Sequence, residues 1–287
     1  MRDAGPDSTL QSSTNGTFER VSDTVLGLTA DRVPEATLRR AALLLLDTLA
    51  ICATAAPMEA GRIGREMAAR MFASGSEGDT ARMLFDGRKV SLAGAVYAAA
   101  TQTDNLDGHD GYNPSKGHVG VAVVPALAAL AEQRPDLSGR DALAALVVGY
   151  EIACRAGLSL HATVADYHTS GAWNALGVAA MAVRLKGGDA ECLRQALGIA
   201  EYHGPRSQMM REIATPTMLH DGSGWGGLVG ITATILAEMG FTGAPAVTVE
   251  TDDVAGFWSG LGEVWLTDEQ YIKPYPTCRW GHGAIDA

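Results

Sequence analysis

The fold class is decided by a stretch that reads SLAGAVYAAATQTDNLDGHDGYNPSKGHVGVAVVPALAALAEQ at residues 91–133. In it, two segments rich in Ala, Leu and Val flank a polar stretch at 104–118. Such apolar segments are typical of closely packed helices, because Ala costs least in a helix and lets neighbouring helices approach. The polar stretch holds three carboxylates, two imidazoles and one ammonium. Because an unpaired buried charge costs several kcal/mol, this stretch is either a solvated helix connection or a reactive site.

Helical patterns extend over most of the 287 residues. Ser91 and Ser138 stand where N-cap residues are expected, and Pro34 and Pro125 stand near the expected starts of two further helices. The pattern predicts helices at 35–53, 61–72, 92–103, 126–133, 139–158, 170–185, 190–202 and 225–239, with a minor strand at 81–85. No run sustains the period-two alternation of a sheet. The sequence therefore predicts an all-α fold, in the form of one large, bundle-like helical domain.

The composition bears on the compartment and the partners. A net charge of −11 leaves no basic surface to neutralise phosphates, so the sequence predicts that nucleic acid is not a partner. The apolar run after Arg40 is interrupted by Asp47 and is too short to cross a bilayer, so no membrane association is expected. The four cysteines form no CxxC pair, and residues 1–18 lack the apolar core of a secretion signal. We therefore expect a cytoplasmic protein with a disordered tail at 1–18.

The polar stretch carries the groups that proton transfer next to a carboxylate requires, namely a base, a proton donor and cations that hold the substrate. Asp107, His109 and Asp110 come first, and Lys116 and His118 follow a Pro-Ser signal for a turn that folds the second half back onto the first. A solvated connection is an equal alternative from spacing alone. A metal-dependent hydrolase built on Asp107, His109 and Asp110 is a further alternative, although their spacing matches no zinc or EF-hand motif.

Two further polar segments interrupt the helical pattern. Tyr167 and His168 precede one predicted helix, and His220 precedes another. An imidazole before a helix start is well placed beside an anion, because free backbone N–H groups and the helix dipole favour negative charge there. Arg206 and Arg211 lie between these two segments. They are either cations that clamp the carboxylates of a substrate or solvated surface residues.

Taken together and in order, these segments resemble the MmgE/PrpD family, which includes 2-methylcitrate dehydratase, cis-aconitate decarboxylase and iminodisuccinate epimerase. The resemblance runs from about residue 20 to residue 287. It is carried by RAAL at 40–43, DTLA at 47–50, LDGHD at 106–110, GHVG at 117–120, PAL at 125–127, AE at 131–132, GYEI at 149–152, YHTSG at 167–171 and KPYPTC at 273–278, with His282 after them. No single motif is specific, but their order is.

The resemblance implies a large helical domain that is usually followed by a smaller α+β lid domain, with the active site between the two. On this basis the chain divides into the tail at 1–18, a helical catalytic-type domain at 19–265, and a segment at 266–287 in which the lid is absent or only begun. Enzymes of the family are generally cofactor-free and dimeric and act on small di- or tricarboxylates. We therefore expect no cofactor, a homodimer, and a small polycarboxylate as the substrate.

The resemblance also implies a set of site residues. Asp107 and His118 match the family's acid/base pair, His168 matches a second site histidine, and His282 matches one at the approach to the lid domain. His220 stands where the family has a lysine. The predicted catalytic residues are therefore Asp107, His118, His168, His220 and His282, and the predicted substrate-binding residues are Lys116, Arg206, Arg211, His109, Asp110 and Tyr167.

The functional prediction is a cofactor-independent lyase that abstracts a proton next to a carboxylate, as a 2-methylcitrate dehydratase does. An isomerase of the iminodisuccinate epimerase type shares this first step, and a decarboxylase can be built on the same scaffold, so both alternatives stay open. An inactive helical subunit that serves in assembly or binding is the alternative from a different class of protein.

Overall fold

The computed structural model of the protein describes residues 16–74 and 77–287. This part of the chain is largely helical, and the predicted all-α fold is confirmed. Its α-helices are α1 (Thr17–Gly27), α2 (Glu35–Ala55), α3 (Glu59–Met71), α4 (Leu92–Asp104), α5 (Gly120–Ala131), α6 (Gly139–Thr163), α7 (Gly171–Lys186), α8 (Ala190–His203), α9 (Met209–Ala214), α10 (Ser223–Glu238), α11 (Val247–Glu250), α12 (Ala255–Trp258) and α13 (His282–Asp286). Short 3-10 helices occur at Ala30–Arg32, Glu77–Asp79, Asp252–Val254, Leu266–Glu269 and Arg279–Gly281.

All the predicted helices are present, with ends that differ by a few residues. The N-caps of α4 and α6 are those predicted. The Ser91 hydroxyl accepts a hydrogen bond from the Gly94 N–H, and the Ser138 hydroxyl accepts one from the Asp141 N–H. Each cap satisfies a backbone donor that would otherwise have no partner at the start of the helix.

Helix α5 is the exception, because its predicted start at Pro125 is wrong. The helix begins at Gly120, and Pro125 lies inside it. A proline inside a helix removes a backbone hydrogen bond and costs about 3 kcal/mol. This helix is buried on every side, and Val121, Val123 and Val124 are fully shielded from solvent. The burial of so much apolar surface outweighs the lost bond, which a rule based on proline position alone does not foresee.

Helix α7 lies at the centre of the fold and packs against α5, α6, α8 and α10. Glycines let these helices approach closely. At Gly177 of α7 a β-carbon would lie 2.6 Å from the carbonyl oxygen of Gly149 in α6, and at Gly230 of α10 it would lie 2.7 Å from that of Ala175 in α7. Real side chains do not tolerate such contacts, so the small residues are what permits this packing.

Helix α6 is the one helix in the described part of the chain that is by itself long and apolar enough to cross a bilayer. Helices α2 and α3 pass the same test only when they are counted together as one span with a sharp bend. In α6, 89% of the most apolar window is buried inside the fold. A helix buried to this extent is typical of a protein core.

One small sheet interrupts the helices. Strand β1 (Thr80–Arg82) pairs antiparallel with β2 (Lys89–Ser91), with Thr80 opposite Ser91. The minor strand predicted at 81–85 is therefore present, but it is shorter than predicted because the chain already turns at residues 84–86.

The predicted N-terminal tail, residues 1–18, lies mostly outside the described residues. Thr17 and Phe18 belong to α1, so the end of the predicted tail is wrong by these two residues. Val21 and Val25 of α1 are fully buried against the core. Their spacing of four residues places both on one helix face, and this burial fastens α1 to the domain.

Candidate active site

Four segments that are far apart in the chain line one cavity of about 390 Å³. They are the end of α4 with the α4–α5 loop, the α6–α7 loop, the stretch from α9 to α10, and residues 271–280. The lining residues include Asp104, Asp107, Lys116, His118, Tyr167, Glu212, His220, Asp221, Tyr271, Arg279 and Trp280. Ligand pockets span about 300–1,000 Å³, so this cavity suits a small molecule.

The α4–α5 loop folds back on itself, as its Pro-Ser signal predicts. Backbone hydrogen bonds join Tyr112 and Gly117 in both directions, and Lys116 at the turn has a positive φ of 54°. A second pair of backbone bonds joins Gly111 to Tyr271 and fastens the C-terminal segment to the loop. The loop therefore forms a wall of the cavity with defined geometry.

His118 is held in one orientation within this loop. Its Nδ1 lies 2.6 Å from the backbone carbonyl oxygen of Asp110, and its backbone N–H donates to the Ser170 hydroxyl at 3.0 Å. Because a carbonyl oxygen can only accept, Nδ1 carries the ring proton and Nε2 keeps its lone pair. Nε2 lies 3.5 Å from Oδ2 of Asp221. Burial, the largest cause, holds the pKa of His118 well below its ordinary value, so the ring is neutral near neutral pH.

The carboxyl of Asp110 lies behind the cavity wall. Its Oδ2 accepts from the Tyr150 hydroxyl at 2.6 Å, and its Oδ1 accepts from the Gly120 N–H at 3.0 Å. The residue is fully buried, and this burial raises the pKa of its carboxyl to about 7. Asp110 therefore contributes to the site through its backbone carbonyl, and its carboxyl is not placed for the predicted contact with substrate.

Asp107 lines the cavity and is paired with Lys273, 166 residues further along the chain. The Lys273 ammonium, which has no exposed side-chain surface, donates to the carbonyl oxygen of Asp107 at 2.9 Å and to its carboxylate. Burial would by itself raise the pKa of Asp107, but the charge of Lys273 outweighs it and the pKa lies below its ordinary value. Asp107 is therefore an ionised carboxylate held in place by a buried cation.

Asp104 and His109 form a buried pair at the base of the cavity. Asp104 accepts from the Ser223 N–H at 3.2 Å, and its Oδ1 lies 3.5 Å from Nε2 of His109. Burial raises the pKa of Asp104 to about 6 and lowers that of His109 to about 3. The His109 ring packs edge-on against that of His118, with centroids 4.6 Å apart. His109 thus packs against the His118 ring. It does not line the cavity, so it is not placed for the predicted contact with substrate.

The stretch from α9 to α10 contributes two carboxyls and an imidazole. Asp221 accepts from the Ser170 hydroxyl at 2.8 Å, and burial together with the charge of Asp104 raises its pKa to about 7. Glu212 lies on α9, with Oε1 3.9 Å from Nδ1 of His220. Burial, followed by the charge of Asp221, raises the pKa of Glu212 to about 9. Near neutral pH this wall of the cavity therefore holds one protonated acid, Glu212, and one that is about half ionised, Asp221.

Lys116 and Arg279 bring positive charge to the cavity. The Lys116 ammonium lies 5.7 Å from the centre of the Tyr167 ring, and the Arg279 guanidinium lies 4.6 Å from the centre of the Tyr271 ring. The Tyr167 hydroxyl donates to the Lys116 carbonyl oxygen, which joins the two loops. Because guanidinium and ammonium groups bind carboxylates, these two side chains can hold an anionic ligand.

Two predicted catalytic histidines do not line the cavity. His168 is buried, its backbone N–H lies 3.4 Å from Nε2 of His161, and its own Nδ1 has no partner among the described residues. His282 packs edge-on against Tyr275 and lies 3.1 Å from the Thr277 carbonyl oxygen through Nε2. Of the five predicted catalytic residues, Asp107, His118 and His220 therefore line the cavity, and His168 and His282 do not.

The two predicted arginines also lie elsewhere. Arg206 pairs with Glu201 at 3.4 Å and does not line the cavity. Arg211 lines an adjoining, wider groove of about 780 Å³. Glu212 and His220 border both the groove and the cavity. Within the described residues, Lys116 and Arg279 rather than the two predicted arginines are the cations in the cavity lining.

Several residues of the site are absent from the sequence-based prediction. Asp104 and Asp221 stand inside polar segments that the sequence marks, and Lys273 opens the KPYPTC motif, so a signal existed for each. Glu212 follows Arg211 and Arg279 follows the KPYPTC motif, but no pattern in the sequence marks either residue itself. That Glu212 and Arg279 line the cavity is seen only in the folded structure.

The alternative of a metal held by Asp107, His109 and Asp110 finds no support in the geometry. The Asp110 carboxyl is directed to Tyr150, and the Asp107 carboxylate is engaged by Lys273. In the described part of the chain, no group of three or more His, Cys, Asp or Glu side chains is arranged to hold a metal ion.

Comparison with known proteins identifies the domain. A search of the curated proteins finds no match. Residues 19–264, which make up most of the chain, match the family model of the MmgE/PrpD N-terminal domain. The chain therefore belongs to the MmgE/PrpD family, whose domain is found in lyase-type enzymes.

Proposed function

We propose that the protein is a cofactor-independent lyase that abstracts a proton next to a carboxylate of a small di- or tricarboxylate, in the manner of a 2-methylcitrate dehydratase. The observation that carries this proposal is the setting of His118. Its Nδ1 is engaged by the backbone carbonyl of Asp110, which leaves the lone pair on Nε2, beside Asp221 at the cavity. A neutral imidazole in a fixed tautomer is a common form of general base.

The charges of the cavity are compatible with an anionic substrate, although four carboxyls line it. One of the four is neutralised by its buried lysine. Burial raises the pKa of Asp104 to about 6, that of Asp221 to about 7 and that of Glu212 to about 9, so at pH 7 Glu212 is protonated, Asp221 is about half ionised and Asp104 is largely ionised. The two positive charges of Lys116 and Arg279 more than offset these remaining negative charges, as the binding of substrate carboxylates requires.

In the dehydration, the proton on the carbon next to the carboxylate passes to Nε2 of His118. The electron pair of the C–H bond is first held by the adjacent carboxylate as an enolate. It then forms the double bond as the C–O bond of the neighbouring hydroxyl breaks, and the hydroxyl leaves as water with a proton from an acid. An ionised Asp221, 3.5 Å from Nε2, stabilises the imidazolium that forms. The products are an unsaturated acid and water, and His118 later returns its proton to solvent.

The test is turnover and exchange with purified protein. 2-Methylcitrate, citrate and cis-aconitate are supplied in D2O, while alkene absorbance, released CO2 and loss of the C–H proton signal are followed. A dehydratase interconverts alkene and alcohol, an epimerase exchanges the proton without alkene, and a decarboxylase releases CO2. We expect His118→Asn, which keeps a donor toward the Asp110 carbonyl, to lower the rate about 10²–10⁴-fold.

The matched control is His203→Asn, on an exposed histidine at the end of α8. It should leave the rate within about twofold of the wild type, since surface substitutions rarely alter a distant site. Absence of turnover, of exchange and of binding for all three acids would mean that the lyase proposal is wrong, and would favour a non-catalytic binding subunit.

A further inference from the structure

The four carboxyls of the cavity differ in their hydrogen-bond donors. Asp104 accepts from a backbone N–H, Asp107 accepts from Lys273, and Asp221 accepts from a serine hydroxyl. Glu212 has no such donor among the described residues. Its Oε2 is buried without a partner, and its Oε1 lies 3.9 Å from Nδ1 of His220.

The Glu212 side chain is partly buried, with 20% of its surface exposed. For the shielded Oε2, which has no donor, the neutral acid is tolerated better than the ionised carboxylate. The charges that raise the pKa of Glu212 are those of Asp221, Asp104 and Asp107. The other titratable groups that line the cavity with it are His220, His118, Tyr167, Tyr271, Cys278, Lys116 and Arg279. Burial, followed by the charge of Asp221, accordingly raises its pKa to about 9.

The position of Glu212 suits a proton donor that must be recharged. It lies on α9, which is fastened to the α6–α7 loop by the Met209 N–H bond to the Tyr167 carbonyl at 2.9 Å. His118 reaches the same cavity from a different loop, so that a substrate between them has a base and an acid available. Glu212 also borders the open groove beyond α9, which gives its carboxyl a route to solvent protons.

We propose that Glu212 is the general acid of the elimination and gives its proton to the departing hydroxyl after His118 has taken the proton from carbon. This inference rests on the proposed lyase function. The C–O bond breaks, an O–H bond forms from the Glu212 proton, and water leaves. Glu212 is left as a carboxylate and takes a new proton from solvent, so that substrate yields only alkene and water.

The test separates the two proton transfers. Wild type, Glu212→Gln, Glu212→Asp and His118→Asn are incubated with 2-methylcitrate and with citrate in D2O, and alkene formation and C–H exchange are measured on the same samples. We expect Glu212→Gln, which is similar in shape but cannot donate an acid proton, to lower alkene formation about 10²–10³-fold while exchange stays within about threefold. His118→Asn should lose both activities together.

Two further readouts distinguish an acid from a structural residue. Glu212→Asp should retain part of the elimination rate and the decline of rate above about pH 9 that the glutamic acid causes, whereas Glu212→Gln should lack that decline. The infrared difference spectrum between the wild type and Glu212→Gln near neutral pH should contain the C=O band of one protonated carboxyl. Glu263→Gln, at an exposed position, is the matched control and should match the wild type in every readout.

Three results would overturn the proposal. The first is elimination by Glu212→Gln at the rate of the wild type. The second is equal loss of exchange and elimination in that variant, which would indicate a structural role. The third is a difference spectrum without the protonated carboxyl band. A wild-type protein that neither exchanges nor eliminates would instead refute the lyase function itself, and this inference with it.

Discussion

The substitution Asp110→Asn tests whether the carboxyl behind His118 is protonated in the folded protein. In the structure this carboxyl is fully buried, its two bonds come from the Tyr150 hydroxyl and the Gly120 N–H, and burial raises its pKa from 3.8 to about 7. Asn reproduces the protonated side chain, since its Oδ1 can accept from Gly120 and its amide can donate to the Tyr150 oxygen. We therefore expect the variant to fold.

The sign of the pH effect follows from the raised pKa. Between about pH 4 and pH 7 the unfolded chain releases the Asp110 proton while the folded protein keeps it, so the free energy of unfolding of the wild type falls by about 1.4 kcal/mol for each pH unit. Over the whole window the loss is at most about 4 kcal/mol, and it is complete above the folded pKa. Asp110→Asn has no such proton and escapes this loss.

The assay is urea unfolding at each pH from 4 to 8, followed by tryptophan fluorescence and circular dichroism. The unfolding free energy of Asp110→Asn minus that of the wild type should rise by up to about 4 kcal/mol from pH 4 to pH 7 and then level off. His109, whose pKa burial lowers to about 3, destabilises the fold as the pH falls below about 6.5. That contribution is common to both proteins and cancels in the difference.

Asp31→Asn, at an exposed position, is the control for removal of a carboxylate, and its difference from the wild type should stay flat. Asp110→Asn should also keep its rate within a few-fold of the wild type, because the group that holds His118 is the backbone carbonyl. A difference that is flat within about 1 kcal/mol between pH 4 and pH 8 would refute the reasoning and indicate an ionised Asp110.

Two further substitutions test the supports of the site. Lys273→Met removes the buried partner of Asp107, so it should lower the unfolding free energy by about 3 kcal/mol and abolish turnover. The double variant Lys273→Met with Asp107→Asn should regain most of the stability. If Lys273→Met alone is as stable as the wild type in urea, the ion pair has no structural role. Gly120→Ala places a β-carbon 2.5 Å from the Tyr150 oxygen and 2.7 Å from Asp110 Oδ1. Thermal melting should therefore show a loss of stability of about 1–3 kcal/mol, and the turnover assay should show a lower rate. Gly139→Ala, whose β-carbon would meet no atom within 4 Å, should change neither, and equal effects of the two substitutions would contradict the packing argument.

The helices could be predicted because their signals are local. Ser91 and Ser138 cap the helices that the sequence assigns to them, and the apolar periodicity places the remaining helices within a few residues of their observed ends. The error at Pro125 shows the limit of local rules, since the free energy that keeps a proline inside α5 comes from burial on all sides of that helix. A single sequence window does not contain that burial.

The candidate site likewise has a part that could be predicted from the sequence and a part that could not. The sequence alone determines that carboxylates, imidazoles and cations are concentrated at a few breaks in an apolar helical chain. The family resemblance then selects Asp107 and His118, and both line the cavity. Only the tertiary structure decides that Lys273 and Glu212 join them while His168 and His282 do not. The physical reason is that residue type sets which protons a side chain can exchange, whereas its partners and its pKa depend on burial and on charges brought close by distant parts of the chain.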